Sequence, residues 1–322
     1  MKNILFATLL LLGCTENTPG DLVTVRVHSG MPFDALLDTL VTREILEHPR
    51  LVRLYARVTG KDRKIQAGEY ALRQKSDWKE TLQILTKGTV ITFDLTIPEG
   101  LTLKEIAEKI SEHIETPTDQ IYADISDTTL DKTWSLPGPG LEGYLFPDTY
   151  QFPTTVSLKI VLETIIEQYK SIWTPERLSR LHELGMSERE LMTLASIIQS
   201  EARIVEEMPI ISSVYHNRLQ LGYLLQADPT VIYALGSRRP RLLFAAIDSV
   251  ADSPYNTYTH PGLPPGPIAA AGEQAIDAAL YPSEDSYLYF VAQSGGHHIF
   301  SKTLQEHNLA IVESRSNSSN GP

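Results

Sequence analysis

Leu191, Leu194 and Ile198 recur at spacings of three and four residues, and Glu201 falls three positions further along the same stripe. That spacing puts all four side chains on one face of a helix. Ser187 followed by Glu190 has the form of a capping box, so the helix is predicted to begin at Glu188. The first three residues belong in a core. The fourth is a carboxylate at the edge of that core, where burial raises a carboxyl pKa and lets it hold a proton near neutral pH. For an arbitrary helical Glu the ordinary outcome is a boundary position, its head in water or paired with a cation such as Arg203 or Arg218.

The same pattern reading extends along the chain. Val23 to Val27 alternate with polar residues as a strand does, and helical periodicity follows over Pro32–Thr42 and Pro49–Val58. The block from Ile65 to Gly100 reads strand, helix, strand, with Gly88 just past the helix. A helix is predicted over Leu103–His113, and a poorly patterned stretch runs on to Trp134. Pro137, Gly138, Pro139 and Gly140 mark a boundary close to residue 135. Further helices are predicted over Leu158–Ile172, Pro175–Leu184, Glu188–Ile204 and Pro209–Leu221. Asp228-Pro229 reads as an N-cap with Pro at the first helical position, opening a short helix that stops at Gly236. A strand from Tyr287 and a strand running into a last helix close the pattern. The class is α+β: a small α+β module over 21–100, a connecting helix and linker over 101–134, a mainly helical domain over 135–313, and a polar tail over 314–322 expected to be disordered.

The first 20 residues stand apart. Lys2 precedes an apolar run from Ile4 to Leu12, far short of the ~20 residues a spanning helix needs but matching the core of a secretory signal. Leu11-Leu12-Gly13-Cys14 resembles a lipobox, so an exported lipoprotein held at a membrane through lipidated Cys14 is expected. Cys14 is also the only cysteine, which excludes an intramolecular disulfide and a thiolate zinc site. Lys and Arg number 28 against 40 Asp and Glu, a net charge of −12, so no basic field invites nucleic acid.

No glycine-rich phosphate loop, HExxH or GxSxG pattern is present. His297-His298 on a strand would point to opposite faces, a spacing poor for one metal ion and better suited to structural or surface roles. The irregular segments EGYLFPDTY, LLQADPT and SPYNTYTHPGLPPGP are different in kind. With neighbouring positions they offer Glu142, Asp148, Asn217, Arg218, Gln226, Asp228, Thr230, Asn256, Thr257 and Tyr258 as polar contacts. Tyr144, Phe146, Tyr150 and Tyr255 are candidate flat apolar surfaces. Sugar rings need both kinds. Asp148 and Asp228 also suit turn and cap positions, which would occupy them structurally.

LEGYLFPDTY, IQAGEY, ASIIQSEA, VYHNRL, LLQADPTVIYALG, YNTYTHPGLPPGPIAAAG and YLYFVAQSGGHHIFSKTLQEHN together resemble the endolytic murein transglycosylase family (MltG, YceG-like) across nearly all of the chain beyond residue 20. The resemblance implies that Glu201 is catalytic, that residues 21–100 are LysM-like and that residues 135–313 are the transglycosylase domain. It further implies cleavage of the MurNAc-GlcNAc β-1,4 bond within nascent glycan strands, giving 1,6-anhydro-MurNAc ends that terminate or trim elongation. Peptidoglycan strands are then the substrate, peptidoglycan synthases the candidate protein partners, and no cofactor or metal is required. Three departures stand out: Gln199 replaces the family's usual acid two positions before the catalytic Glu, a lipobox replaces a transmembrane helix, and either His297 or His298 could match a single family His. Two other readings remain, a hydrolase using Asp228 or Asp148 to activate water and a non-catalytic glycan-binding lipoprotein.

Overall fold

The computed structural model describes residues 20–237, 242–293 and 295–319; Cys14 and the apolar run before it lie outside the described residues. The chain divides into two compact units, one reaching Phe93 and adding Pro153–Thr155, the other comprising Asp94–Phe152 and the chain from Val156 onward.

In the first unit, strand β1 (Leu22–Val27) pairs antiparallel with β2 (Gly68–Arg73), in a register running from Leu22 opposite Arg73 to Val27 opposite Gly68. Helices α1 (Phe33–Thr42) and α2 (Pro49–Thr59) lie between those strands in sequence, and α3 (Trp78–Lys87) follows β2. Alternate strand residues Val25, Val27, Tyr70 and Leu72 meet Leu36, Leu37, Leu40, Val52, Leu82 and Leu85 in one core. Asp77 caps α3 through a 2.9 Å bond from the Lys79 amide. Gly88, at φ +72, ends it in the left-handed conformation that side chains resist.

The second unit begins within β3 (Thr92–Thr96), which pairs with β4 (Thr149–Pro153). Helices α4 (Leu103–Ser111), α5 (Thr118–Ile125) and α6 (Leu130–Trp134) precede β4. After it come α7 (Leu158–Ser171), α8 (Pro175–Leu184), α9 (Glu188–Glu201), α10 (Met208–Leu221), α11 (Asp228–Leu235), α12 (Phe244–Ser249) and α13 (Glu273–Leu280). A two-stranded antiparallel ribbon, β5 (Tyr289–Ala292) with β6 (His298–Ser301), leads into α14 (Leu304–Ser319). The architecture is α+β, with small antiparallel sheets beside predominant helix.

Helix α9 organises this unit. It starts at the capping box, where the Glu190 amide meets Ser187 Oγ at 3.3 Å and the Ser187 amide donates to Glu190 Oε2 at 2.8 Å. Every residue from Leu191 to Ile198 is buried, because α10, α11 and α13 pack around it. An amphipathic stripe was the sequence expectation; the full enclosure is possible because Thr193 and Ser196 satisfy their hydroxyls on the helix's own carbonyls, at 2.7 Å each. Ser196 Oγ also accepts the Ile268 amide at 3.0 Å.

Four expectations need correction. Helix α9 ends at Glu201 rather than Ile204, because Ala202 is extended and a 3₁₀ turn, Val205–Glu207, intervenes before α10. The stretch before Trp134 contains α5, whose buried Ile121 and Ile125 alone carry too little periodicity to stand out, and the five-residue α6, which buries none of its residues. Asp228 does not cap α11: the N-cap is Ala227, and no side chain caps it. Finally α14 continues through Ser319, into the segment expected to be disordered. Ala310 and Ser314 are buried there and Ser314 Oγ donates to the Ala292 carbonyl at 2.7 Å, which ties the helix to β5.

Among the described residues no helix is long and apolar enough to cross a membrane.

Candidate active site

Glu201 is the final residue of α9, so the buried body of the helix fixes its backbone while its side chain leaves the core at the helix end. Tyr215, on α10 and buried, donates its hydroxyl to Glu201 Oε1 at 3.0 Å, and packs edge-on against Phe290. Burial pushes the Glu201 carboxyl up to about 7. Nearby Asp228 adds to the rise, while the Tyr215 bond and Arg218 oppose it. A carboxyl that is half protonated near neutral pH can donate a proton and then take one back.

Arg218 follows Tyr215 by three residues on the same face of α10 and is 8% exposed. Its Nε donates to the Leu288 carbonyl at 2.6 Å and its Nη1 to the Leu225 carbonyl at 2.7 Å, while the guanidinium lies 5.2 Å from the Tyr289 ring centroid. It therefore straps the segment before α11 and the segment entering β5 to one helix.

That segment is clamped from a second side. The Gln226 amide donates to the Thr257 carbonyl at 3.1 Å, the Ala227 amide donates to Thr257 Oγ1 at 2.9 Å, and Thr230 Oγ1 lies 2.9 Å from Thr257 Oγ1. Gln226 is held at φ +49, a left-handed conformation costly for a side-chain-bearing residue, and its side chain is exposed. Asn256 is fully buried, donating to the carbonyls of Ile247 (2.9 Å) and Val250 (3.2 Å). The result places Tyr258 so that its hydroxyl donates to Asp228 Oδ1 at 2.5 Å.

Of the residues singled out in the sequence, the structure thus gathers Glu201, Arg218, Asp228 and Tyr258 into one electrostatic cluster, with Tyr215 added. Others are scaffold. Asn217 spends its amide on the carbonyls of Asp285 (2.8 Å) and Tyr287 (2.9 Å), and Thr230, Asn256 and Thr257 are buried in the loop clamp. Tyr144, Phe146 and Tyr150 are core residues rather than exposed stacking faces, with Tyr144 against the Tyr169 ring and Tyr150 donating to the Phe146 carbonyl at 2.7 Å. Asp148 is exposed and accepts from the Thr149 amide at 2.7 Å and Gln168 at 3.2 Å, a turn role.

Glu142 sits in a separate group. It accepts the Leu103 amide at the start of α4 (2.9 Å) and the Tyr233 hydroxyl (3.2 Å), and the Tyr233 ring lies 4.9 Å from that of the half-buried Tyr255. Burial lifts this carboxyl to about 7 as well. Its folded pKa exceeds its ordinary value of 4.5, so its contribution to stability is full below pH 4.5 and is lost as pH rises through 7. Glu142→Gln is therefore expected to raise the thermal midpoint at pH 8 relative to the unsubstituted protein while leaving it nearly unchanged at pH 5; calorimetry at both pH values checks this.

Tyr215 and Tyr233 were not singled out from the sequence. The one available signal was that Tyr215 precedes Arg218 at helical spacing; its bond to Glu201 is a tertiary fact. Gln199 receives a specific account: its Nε2 donates to Glu99 Oε2 and its Oε1 accepts the Gly272 amide, each at 3.1 Å. An acid there would lose the donor and face Glu99. His297 and His298 both engage Glu207, at 3.2 and 2.7 Å. Among the described residues no cluster of three His, Cys, Asp or Glu is arranged to hold a metal ion.

The cluster makes opposite pH predictions for two substitutions. Tyr215 bonds the ionised carboxylate and so favours it; Tyr215→Phe should raise the Glu201 pKa and move the alkaline limb of kcat/KM to higher pH. Asp228 disfavours ionisation, so Asp228→Asn should move the same limb to lower pH. Initial rates across a pH series read both.

Comparison with known proteins gives concordant results. The YceG-like family matches residues 25–313. The chain is 35% identical over 317 residues to the endolytic murein transglycosylase of Bacillus subtilis strain 168, covering 93% of this chain and 87% of that one. It is 27% identical to the endolytic murein transglycosylase of Streptococcus pneumoniae serotype 2 strain D39, covering 90% of this chain and 58% of that longer protein. A crystal structure of a YceG-like protein from Listeria monocytogenes is similar with a TM-score of 0.61 and 31% identity, over 90% of this chain and 99% of the other.

Proposed function

The chain belongs to the YceG-like family, and from that premise we propose that it is an endolytic peptidoglycan transglycosylase whose catalytic residue is Glu201. The observation that carries the assignment is the Glu201 carboxyl itself, fixed at the end of a buried helix, bonded by Tyr215 and poised at about pH 7.

In the chemistry we assign, protonated Glu201 donates to the glycosidic oxygen as the bond from MurNAc C1 breaks and oxocarbenium-like charge develops. The resulting carboxylate then removes the proton from the same sugar's C6 hydroxyl while O6 bonds to C1. The products are a freed GlcNAc hydroxyl end and a 1,6-anhydro-MurNAc end, with no water consumed and Glu201 reprotonated. One carboxyl suffices because the tethered hydroxyl replaces water, with the entropic advantage of an intramolecular nucleophile. Tyr215 orients Glu201, the loop clamp around Thr257 holds Asp228 and Tyr258 in place, and Gln226 and Tyr258 are the polar groups best presented to sugar hydroxyls.

The remaining assignments follow the same reading. The β–α–α–β order of β1 to β2 supports a LysM-like glycan-binding module, Cys14 is the proposed lipid anchor of an extracytoplasmic protein, nascent strands are the proposed substrate, and peptidoglycan synthases are proposed partners.

Hydrolysis is the competing reading, because Asp228 is a second carboxylate close enough to act on the Glu201 charge. Reaction in ¹⁸O-labelled water separates the two. The transglycosylase reading predicts anhydro ends without the label, whereas labelled reducing ends that Asp228→Asn abolishes would assign Asp228 the role of activating water.

A further inference from the structure

Helix α2 carries a feature that neither its own core nor the chemistry at Glu201 explains. Its buried side, Val52 and Ala56, faces the first unit's core. On the other side Leu51 is 52% exposed, Leu54 63% and Val58 79%, and their spacing of three and four residues lines them into one apolar stripe. Single exposed apolar residues are ordinary, but a contiguous helical stripe is not. Arg50, Arg53 and Arg57 accompany it in PRLVRLYARVT, a helix with no acidic residue, and Lys61 follows at once. Arg53 and Arg57 pair with Asp34, whereas among the described residues Arg50 has no such ion pair. An apolar stripe edged by long cations whose stems can pack while their heads reach outward is the pattern of a helix lying in a membrane interface.

Charge segregation along the chain points the same way. Residues 1–93 hold 13 Lys and Arg against 10 Asp and Glu, whereas residues 94–322 hold 15 against 30. The basic excess is thus confined to the part that carries α2, in a protein of net charge −12. An anionic surface attracts this unit and repels the rest. Cys14, the proposed anchor, precedes Leu22 by eight residues, at most ~30 Å of chain, so an anchored molecule keeps this unit within reach of the bilayer.

We infer that the exposed face of α2 docks on the surface of an anionic phospholipid bilayer, with Leu51, Leu54 and Val58 entering the interface and Arg50 meeting phosphate headgroups. Docking holds the first unit flat on the membrane surface. The inference is separate from the chemistry at Glu201, and its test does not read turnover except as a control.

The test uses the lipidated chain, in which the proposed thioether at Cys14 leaves Val58→Cys as the single free thiol for a bimane label, reconstituted in vesicles of phosphatidylglycerol and phosphatidylethanolamine that contain a doxyl-labelled lipid quencher. Emission at this position is expected to fall by about half, whereas the label on exposed Lys87→Cys of α3 stays unquenched. Adding Leu54→Glu should restore most of the emission without altering cleavage of soluble glycan strands, which confirms that the fold is intact. Arg50→Gln should weaken docking roughly fivefold, and phosphatidylcholine in place of the anionic lipid should weaken it at least as much. The inference is overturned by full accessibility to aqueous iodide with and without vesicles. It is equally overturned by lipid-independent disulfide pairing through Val58→Cys, which would make a second copy the occupant, or by protection from glycan strands alone.

Discussion

Glu201→Gln is expected to leave a folded protein whose cleavage of glycan strands falls by ~10²–10⁴-fold, the range over which a positioned general acid and base contributes. The amide keeps the shape of the carboxyl and can still accept the Tyr215 hydroxyl, but it has no proton to give to the glycosidic oxygen and no basicity to receive one. A second consequence separates loss of chemistry from loss of fold. The Glu201 carboxyl is raised from 4.5 to about 7 by burial, so ionising it above pH 7 weakens the folded state by up to ~3 kcal/mol. Glu201→Gln removes that penalty and should raise the thermal midpoint at pH 8 while changing it little at pH 5. A variant that is inactive and more stable at alkaline pH fits the assignment. One that retains the parent's rate, or that is destabilised at both pH values, does not.

The second large effect concerns stability. Arg218 is almost fully buried, and the carbonyls of Leu225 and Leu288 are both satisfied by its guanidinium. Arg218→Met fills similar volume but leaves both carbonyls without donors. Each such buried loss costs about 1–3 kcal/mol, and at this chain length a total of about 2–6 kcal/mol lowers the midpoint by roughly 3–9 °C. Arg218→Lys should recover only part of this, because one ammonium cannot reproduce the planar fork that reaches two segments at once. Differential scanning calorimetry of the three proteins reads the order directly. If instead Arg218→Met melts with the parent while KM for glycan rises, Arg218 contacts substrate, as the sequence reading had it, rather than strapping the loops.

The chain pattern revealed as much of this architecture as local chemistry can carry. Capping at Ser187 and Glu190, Gly stops at Gly88 and Gly236, and alternation in β1 are local rules, and each appears in the structure where expected. Helices α12 and α13 escaped notice because α12 is six residues long and α13, EQAIDAAL, is rich in Ala and follows a Pro- and Gly-punctuated loop. At the site, Glu201 was legible because an acid broke an apolar stripe. The polar loop residues were legible only as a group: which of them face outward depends on bonds across 27 to 70 residues of sequence, such as Thr257 to Thr230 and Arg218 to Leu288. Asn256, Thr257 and Asn217 have the composition of sugar-binding groups and are spent on backbone carbonyls and amides instead. A polar side chain in a loop advertises hydrogen-bonding capacity, not its direction, and folding consumes most of that capacity internally.

Gln199 illustrates the converse. It departs from the family pattern at a position where an acid is usual, and its amide bridges Glu99 and Gly272 with one donor and one acceptor. An amide supplies both where a carboxylate supplies only acceptors, so the residue reads as a positional device at the end of α9, two residues before Glu201.

The most direct test of the central claim is mass spectrometry of the products released from uncrosslinked glycan strands, with Glu201→Gln run in parallel. The account predicts internal fragments ending in 1,6-anhydro-MurNAc from the unsubstituted protein and intact strands from the variant. Fragments heavier by one water, or anhydro products formed equally by both proteins, would contradict it.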